Sequence, residues 1–239
     1  DRHDKINLSN GGVLMQALIV NYDQVSTQIA QLNKNVINKI EEFKNKGNLI
    51  GMYVGDKKID CQIESSVDFI IQSNGVLSFK EGYDYFDYEP LSIDEINQIL
   101  YSLRGYFKVV IDSKDGFSKS CSLYDIKNLE SIKKQIEKNF SDLVSVSEEN
   151  NQLFIYSKKS NIDRVVDRLC GIKRLNIDNV YVLTDKYEES KINCSVNNIY
   201  VLNDSDYPIE NKEIFYVDDI LECMNDLLEE RSFLFTKCE

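Results

Sequence analysis

Six short runs of apolar residues, each followed directly by a polar or small residue, constrain the fold of this 239-residue chain most strongly. The runs are rich in β-branched side chains and end at turn-forming residues, as strands do. Continuous apolar runs are typical of strands buried on both faces, as in a parallel sheet covered by helices. The runs are Ala17 to Val20, Leu49 to Val54, Phe69 to Ile71, Val180 to Leu183, Ile199 to Leu202 and Ile214 to Val217.

Segments with helical periodicity separate or follow these runs. Between the first two runs, apolar residues recur every three or four positions from Ile29 to Phe43, and Gly47 then provides a stop signal. A second periodic segment opens near Ser160, carries Ile162, Val165 and Leu169, and closes at Gly171 before the fourth run. A third, Ile220 to Leu228, follows the last run. This alternation of strands and helices predicts an α/β fold with a Rossmann-like parallel core sheet.

The middle of the chain has a different pattern. Apolar and polar residues alternate there, which predicts half-exposed antiparallel strands, and one of two intervening helices begins with a capping box of Ser92 and Glu95. We predict that residues 77–157 form an inserted α+β antiparallel cap, that residues 13–76 and 158–239 form the core, and that residues 1–12 are a flexible leader. The alternating segments are Tyr106 to Asp112, Lys119 to Tyr124, Leu143 to Ser147 and Gln152 to Tyr156.

Composition excludes several classes of function. A formal net charge of −12 repels the phosphates of nucleic acids, and no run approaches the roughly 20 apolar residues that span a bilayer. The six cysteines lack the spacing of a metal site or a redox pair. The single histidine, His3, lies in the leader, so we expect neither a Ser/His/Asp triad nor a His-based metal site. We expect a cytoplasmic protein that binds neither nucleic acid nor membranes.

Three sequence segments carry a resemblance to a known family: ALIVNYDQVS at residues 17–26, MYVGD at 52–56 and FIIQSNGVLS at 69–78. Their order resembles the haloacid dehalogenase superfamily of phosphatases, and most of all its Cof-type and archaeal phosphoglycolate phosphatase subgroup. In that family the first strand ends in Asp-x-Asp-Gly-Thr, the second in Thr-Gly-Arg, and an Asn-Gly-Ala turn leads into an inserted cap. A lysine and an acidic Gly-Asp-x-x-x-Asp motif follow the cap. The likeness extends from about Met15 to Glu230.

The resemblance implies roles for several residues of this chain. The nucleophilic aspartate of the family falls on Asn21, and its acid/base aspartate falls on Asp23. The phosphate-binding positions fall on Val54, Gly55 and either Lys158 or Lys159. The magnesium-binding positions fall on Asn21, Asp23, Asp185 and Glu189.

Some of these residues also have simpler interpretations. Asp185 and Glu189 are acids that would be stabilised by the positive end of a helix dipole. Lys158 and Lys159 follow a predicted strand, where a solvated loop is common. Both interpretations stay open at the level of the sequence.

The residue at position 21 argues against catalysis of phosphoryl transfer. Formation of an aspartyl phosphate requires an ionised carboxylate that attacks phosphorus, and the amide of Asn21 cannot do so. One formal charge fewer also weakens the binding of Mg²⁺, so we expect magnesium to bind weakly or not at all. The sequence therefore predicts a catalytically impaired phosphatase-like protein that acts as a binding or regulatory module. Two alternatives are an active Mg-dependent phosphomonoesterase of a small phosphorylated metabolite, and a structural protein that binds a protein partner and has a closed cleft.

Overall fold

The structure is a computed structural model, and it describes residues 15–55, 59–72, 74–85, 90–114, 116–149, 151–160, 164–185, 196–202 and 213–236. The predicted leader and Glu189 lie outside the described residues. In chain order, the helices and strands are β1 (Ala17–Asn21), α1 (Tyr22–Asn45), β2 (Leu49–Val54), α2 (Cys61–Ser66), β3 (Phe69–Gln72), β4 (Leu77–Phe79), β5 (Asp84–Tyr85), α3 (Ile93–Ser102), β6 (Lys108–Lys114), β7 (Phe117–Tyr124), α4 (Leu129–Phe140), β8 (Val144–Glu149), β9 (Gln152–Ser157), α5 (Val165–Lys173), β10 (Val180–Thr184), β11 (Asn198–Leu202), β12 (Glu213–Val217) and α6 (Ile220–Thr236).

A large sheet joins eight strands in the order β12-β11-β10-β1-β2-β3-β4-β5. Its first six strands are parallel to one another, and they are the six strands that the apolar runs predict. The central strands β1 and β10 are buried at every position, which explains why their sequences are continuously apolar. The structure thus confirms the α/β class with a Rossmann-like parallel core.

Helices cover both faces of the large sheet. On one face, α1 and α6 pack against the sheet through residues that include Ile29, Phe43 and Met224. On the other face, α5 packs through Val165 and Leu169. None of the described helices combines the length and hydrophobicity that are needed to cross a lipid bilayer.

A second sheet of four antiparallel strands, in the order β6-β7-β9-β8, lies within the inserted segment. The helices α3 and α4 cover one of its faces, and their contacts form a separate apolar core around Ile96, Ile136 and Leu153. The predicted capping box is present, since Glu95 N–H donates to Ser92 Oγ and Ser92 N–H donates to Glu95 Oε2. We call this second sheet with α3 and α4 the cap.

The large sheet continues beyond residue 77, where the sequence analysis places the start of the inserted segment. Strand β4 pairs antiparallel with β3, so that Leu77 lies opposite Ile71, and β5 pairs with β4. A tight turn at Asn74 and Gly75 keeps the chain in the same sheet, and Gly75 adopts the positive φ of +86° that this turn requires. The chain passes to the cap sheet only after Tyr85, since β4 and β5 still belong to the large sheet.

Candidate functional site

The carboxyl ends of β1, β2 and β10 meet at one edge of the large sheet, where ligands bind in open α/β sheets. β1 ends at Asn21, beside Tyr53 of β2, and β10 ends at Thr184. The first turn of α1 begins directly after β1, so Asp23 and Gln24 lie at the same edge. The structure therefore brings together Asn21, Asp23, Val54, Gly55 and Asp185.

Asn21 belongs to a buried network of neutral groups. Its Nδ2 donates to Thr184 Oγ1 at 3.4 Å, and the Thr184 hydroxyl in turn donates to Gln24 Oε1 at 2.5 Å. The backbone N–H of Asp185 donates to the same Gln24 oxygen at 3.0 Å. Asn21 is 2% exposed and Thr184 is fully buried. We call Asn21, Gln24 and Thr184 the amide–hydroxyl network.

Asp23 turns towards β2. Its Oδ2 accepts a hydrogen bond from the backbone N–H of Gly55 at 2.7 Å. A Cβ atom on residue 55 would overlap with this carboxylate oxygen, so a side chain here would displace the carboxylate from its hydrogen bond. The retained acid is therefore held by the end of β2, on the opposite side of β1 from Thr184.

The described residues at this edge offer a magnesium ion only part of a ligand set. Asn21 Oδ1 and Asp23 Oδ1 are buried oxygens that accept no hydrogen bond within the described chain, and either could ligate a cation. The oxygens of the amide–hydroxyl network are less available, because Thr184 Oγ1 and Gln24 Oε1 already accept hydrogen bonds from Asn21 Nδ2, the Thr184 hydroxyl and the Asp185 N–H. Mg²⁺ demands near-ideal octahedral geometry and binds through one or two carboxylates. No group of three His, Cys, Asp or Glu side chains among the described residues could hold a metal ion.

The expected phosphate-binding residues offer few donors. Val54 is 7% exposed, lines the cleft described below and has no hydroxyl group. Lys158 Nζ donates to the backbone oxygen of Ser141 at 2.6 Å, at the connection between α4 and β8. Lys159 is exposed, and its backbone N–H lies 3.3 Å from Ser157 Oγ. The roles of these residues in binding phosphate stay predictions.

A cleft of about 670 Å³ lies between the edge of the large sheet and the cap. Val54 and Gly55 lie on its core side, together with Gln72 of β3 and Asn74. The cap contributes residues from the face of its sheet that α3 and α4 leave uncovered. They include Val110, Asp112, Ser120, Ser122, Tyr124, Gln152, Phe154 and Tyr156.

The sequence by itself predicts no ligand-binding role for these cap residues or for Gln24. The cap residues follow from the strand alternation, because Ser122 and Tyr124 alternate with the buried Cys121 and Leu123. Which face of the cap sheet is turned towards the core, however, depends on how the two sheets pack. No local signal distinguishes Gln24 from the other polar residues of α1.

Asn74 joins the core to the cap at one end of the cleft. Its Oδ1 accepts from Val76 N–H at 3.2 Å within the β3–β4 turn, and its Nδ2 donates to the backbone oxygen of Lys119 on β7. Its own backbone oxygen accepts a hydrogen bond from the Ser160 hydroxyl. An ion pair of Lys119 with Asp84 on β5, at 3.5 Å, crosses the same junction.

The parallel core sheet, the antiparallel cap and the cleft between them define a class of fold that solved structures share. A haloacid dehalogenase-like hydrolase from Bacteroides thetaiotaomicron superimposes with a TM-score of 0.64 at 10% identity, covering 89% of this chain and 99% of that chain. A phosphatase of the same superfamily and organism superimposes with a TM-score of 0.56 at 10% identity, covering 94% of this chain and 98% of that chain. A protein of Thermotoga maritima superimposes with a TM-score of 0.61 at 14% identity, covering 90% of this chain and 97% of that chain. The chain thus has the haloacid dehalogenase-like fold.

Comparisons of the sequence itself give no match. No protein-family model matches the chain, and no curated protein matches it. Sequence identities of 10–14% to the solved structures establish the fold alone.

Proposed function

We propose that this chain is a haloacid dehalogenase-like protein that has lost phosphoryl transfer and acts as a binding or regulatory module. The observation that carries the proposal is the state of Asn21, whose amide occupies the nucleophile position and bonds to Thr184. An amide carries no negative charge and cannot attack phosphorus to form an acyl phosphate. The proposal includes weak or absent binding of Mg²⁺, because Asn21 brings one negative charge fewer than an aspartate and the network oxygens beside it already accept hydrogen bonds.

The remaining acid, Asp23, cannot replace a nucleophile. A carboxylate that only activates water contributes about 10²- to 10⁴-fold to a rate, whereas enzymes accelerate reactions by about 10⁶-fold or more. The Oδ2 of Asp23 is also engaged by Gly55 N–H. We therefore expect at most a vestigial hydrolysis of phosphate esters.

One observation favours a second candidate, an active phosphomonoesterase of a small phosphorylated metabolite. Asp23 keeps its carboxylate at the carboxyl edge of the sheet, against Gly55 of the cleft. The open cleft of about 670 Å³ argues against the third candidate, a protein-binding scaffold with a closed cleft. Under the leading proposal, the occupant of the cleft is a small molecule, and its binding regulates a protein partner. We also propose a cytoplasmic location, consistent with four described cysteines that are free thiols.

The test is hydrolysis of a generic aryl phosphate in the presence of Mg²⁺. We expect the wild-type protein and Asp23→Asn to release product at the same background rate. Asn21→Asp measures how much the rate of hydrolysis rises when a carboxylate is restored at this position. Asn35→Asp, at an exposed position of α1, is the control for an added charge. Robust wild-type turnover that Asp23→Asn abolishes would overturn the proposal in favour of the active enzyme.

A further inference from the structure

The open face of the cap sheet forms one wall of the cleft, and this wall is largely aromatic. Tyr124 on β7 and the pair Phe154 and Tyr156 on β9 line it, and all three side chains are half-buried. Val110 adds an aliphatic group from the adjacent strand β6. Half-buried aromatic rings on one sheet face form a surface on which a flat ring can stack.

The core side of the cleft is poor in groups that recognise phosphate. Val54 presents methyl groups, and the backbone N–H of Gly55 is already bonded to Asp23. Phosphate sites instead use free backbone N–H groups, hydroxyls or cationic side chains. No lysine or arginine is found among the cleft-lining residues of the described chain.

Among the described residues that line the cleft, the charged groups are carboxylates. Glu64 of α2 lies on the core side, and Asp112 of β6 lies on the cap side. Lys119 is 3.8 Å from Asp112 but also 3.5 Å from Asp84, so it neutralises Asp112 only in part. Neutral amides of Gln72 and Gln152 supply further hydrogen-bond donors and acceptors. The described lining of the cleft therefore favours cations over anions.

We propose that the cleft binds a planar aromatic organic molecule that is uncharged or positively charged, rather than a phosphate ester. This inference deepens the proposed binding role and rests on it. The rings of Phe154 and Tyr156 stack on the ligand, and Asp112 and Glu64 receive its N–H donors; the ring of Tyr124 borders the site, with the Lys108 ammonium 5.8 Å from its centroid. A volume of about 670 Å³ lies within the range of about 300–1,000 Å³ that is typical of small-molecule sites.

The test compares two probes that carry the same ring with opposite charge, tryptamine and indole-3-acetate. Since the chain contains no tryptophan, indole emission reports the probe alone. We expect tryptamine to bind about tenfold or more tightly than indole-3-acetate, as a cation near aromatic rings and carboxylates gains about 1–2 kcal/mol. Phenyl phosphate serves as the third probe, and we expect it not to compete with tryptamine.

Variants locate the binding to the cleft. Tyr156→Ala removes a stacking ring and weakens tryptamine binding about tenfold, whereas Asp112→Asn reduces the preference for tryptamine over indole-3-acetate without removing an aromatic contact. Tyr101→Ala is the matched control, because Tyr101 on α3 is 88% exposed and lies outside the cleft. We expect it to leave all affinities unchanged.

Three results would overturn the inference: no binding of tryptamine at millimolar concentration, binding of either anionic probe as tightly as tryptamine, or equal losses in Tyr156→Ala and Tyr101→Ala. Release of phenol from phenyl phosphate is followed in the same samples. Release of phenol would contradict the proposed loss of phosphoryl transfer. Tight binding of an anion without release of phenol would contradict only the proposed preference for uncharged or cationic ligands.

Discussion

The hydroxyl of Thr184 donates a hydrogen bond of 2.5 Å to Oε1 of Gln24, and this contact ties the end of β10 to the first turn of α1. Because Asn21 donates to the same hydroxyl, neighbouring strand ends are joined by neutral groups. In the family that the sequence resembles, an aspartate falls at the position of Asn21. The contact therefore bears on both the stability and the metal binding of the chain.

Replacement of Gln24 by alanine should lower the free energy of unfolding by about 1–3 kcal/mol. The substitution removes the acceptor that the Thr184 hydroxyl and the Asp185 N–H share. Urea unfolding measures the loss, and Gln31→Ala, at an exposed position of the same helix, is the control. Equal stabilities of the two variants would show that the network does not contribute.

Magnesium should leave the melting temperature of the wild-type protein unchanged. In the double variant Asn21→Asp with Gln24→Gly, a carboxylate replaces the amide and the space that Gln24 fills becomes available. We expect Mg²⁺ to raise the melting temperature of this variant, because a ligand that binds only the folded state stabilises it. Thermal unfolding of the wild-type protein and of the double variant, with and without Mg²⁺, checks this expectation. The same measurement with Ca²⁺ tests whether the shift is specific for magnesium. A clear Mg²⁺ shift in the wild-type protein would contradict the metal assignment made above.

Gly55→Ala should destabilise the protein by about 1–3 kcal/mol, since the new methyl group overlaps with the Asp23 carboxylate. In an Asp23→Ala background, which lacks that carboxylate, the same glycine substitution should lower the free energy of unfolding by less. Gly171→Ala in α5 is the matched control, because a Cβ there contacts nothing within 4 Å. A double-mutant cycle of unfolding free energies measures the coupling, and additive losses would rule the contact out.

Asn74→Ala should loosen the junction between core and cap. The variant loses hydrogen bonds to Val76 N–H and to the Lys119 carbonyl, at a cost of about 1–3 kcal/mol. Hydrogen exchange should accelerate at the Val76 amide, while the exposed substitution Asn35→Ala should leave it unchanged. Unaltered protection at Val76 would mean that the turn is held by its backbone alone.

The buried cysteines should resist alkylation in the native protein. Burial raises the pKa of the Cys121 thiol to about 12, and burial together with Asp226 and Glu222 raises the pKa of the Cys223 thiol. A raised pKa lowers the fraction of reactive thiolate, to about 10⁻⁴ for Cys121 at a pH of about 8. Mass spectrometry should find iodoacetamide on the exposed Cys61 but not on Cys121 or Cys223 until the chain is unfolded. Early modification of either buried thiol would contradict the packing described above.

Much of the fold follows from local patterns in the sequence. The six apolar runs became the six parallel strands, because a strand covered by helices on both faces must be apolar at every position. The Ser92–Glu95 capping box also formed, since it involves residues three apart in one helix turn. Such features depend on neighbours in the chain, which makes them readable from sequence alone.

The sheet boundary and the cleft depend on contacts between residues that are distant in sequence. The sequence pattern places β4 and β5 in the cap, but the turn at Gly75 pairs β4 with β3 of the core, and β5 then pairs with β4. The sequence placed Asn21 at the edge of the sheet, yet its bond to Thr184, 163 residues away, emerges only when β10 lies beside β1. Likewise, Tyr124, Phe154 and Tyr156 face the core only because α3 and α4 cover the other side of the cap sheet. Local sequence thus determined the elements, whereas the packing of the two sheets decided which side chains line the cleft.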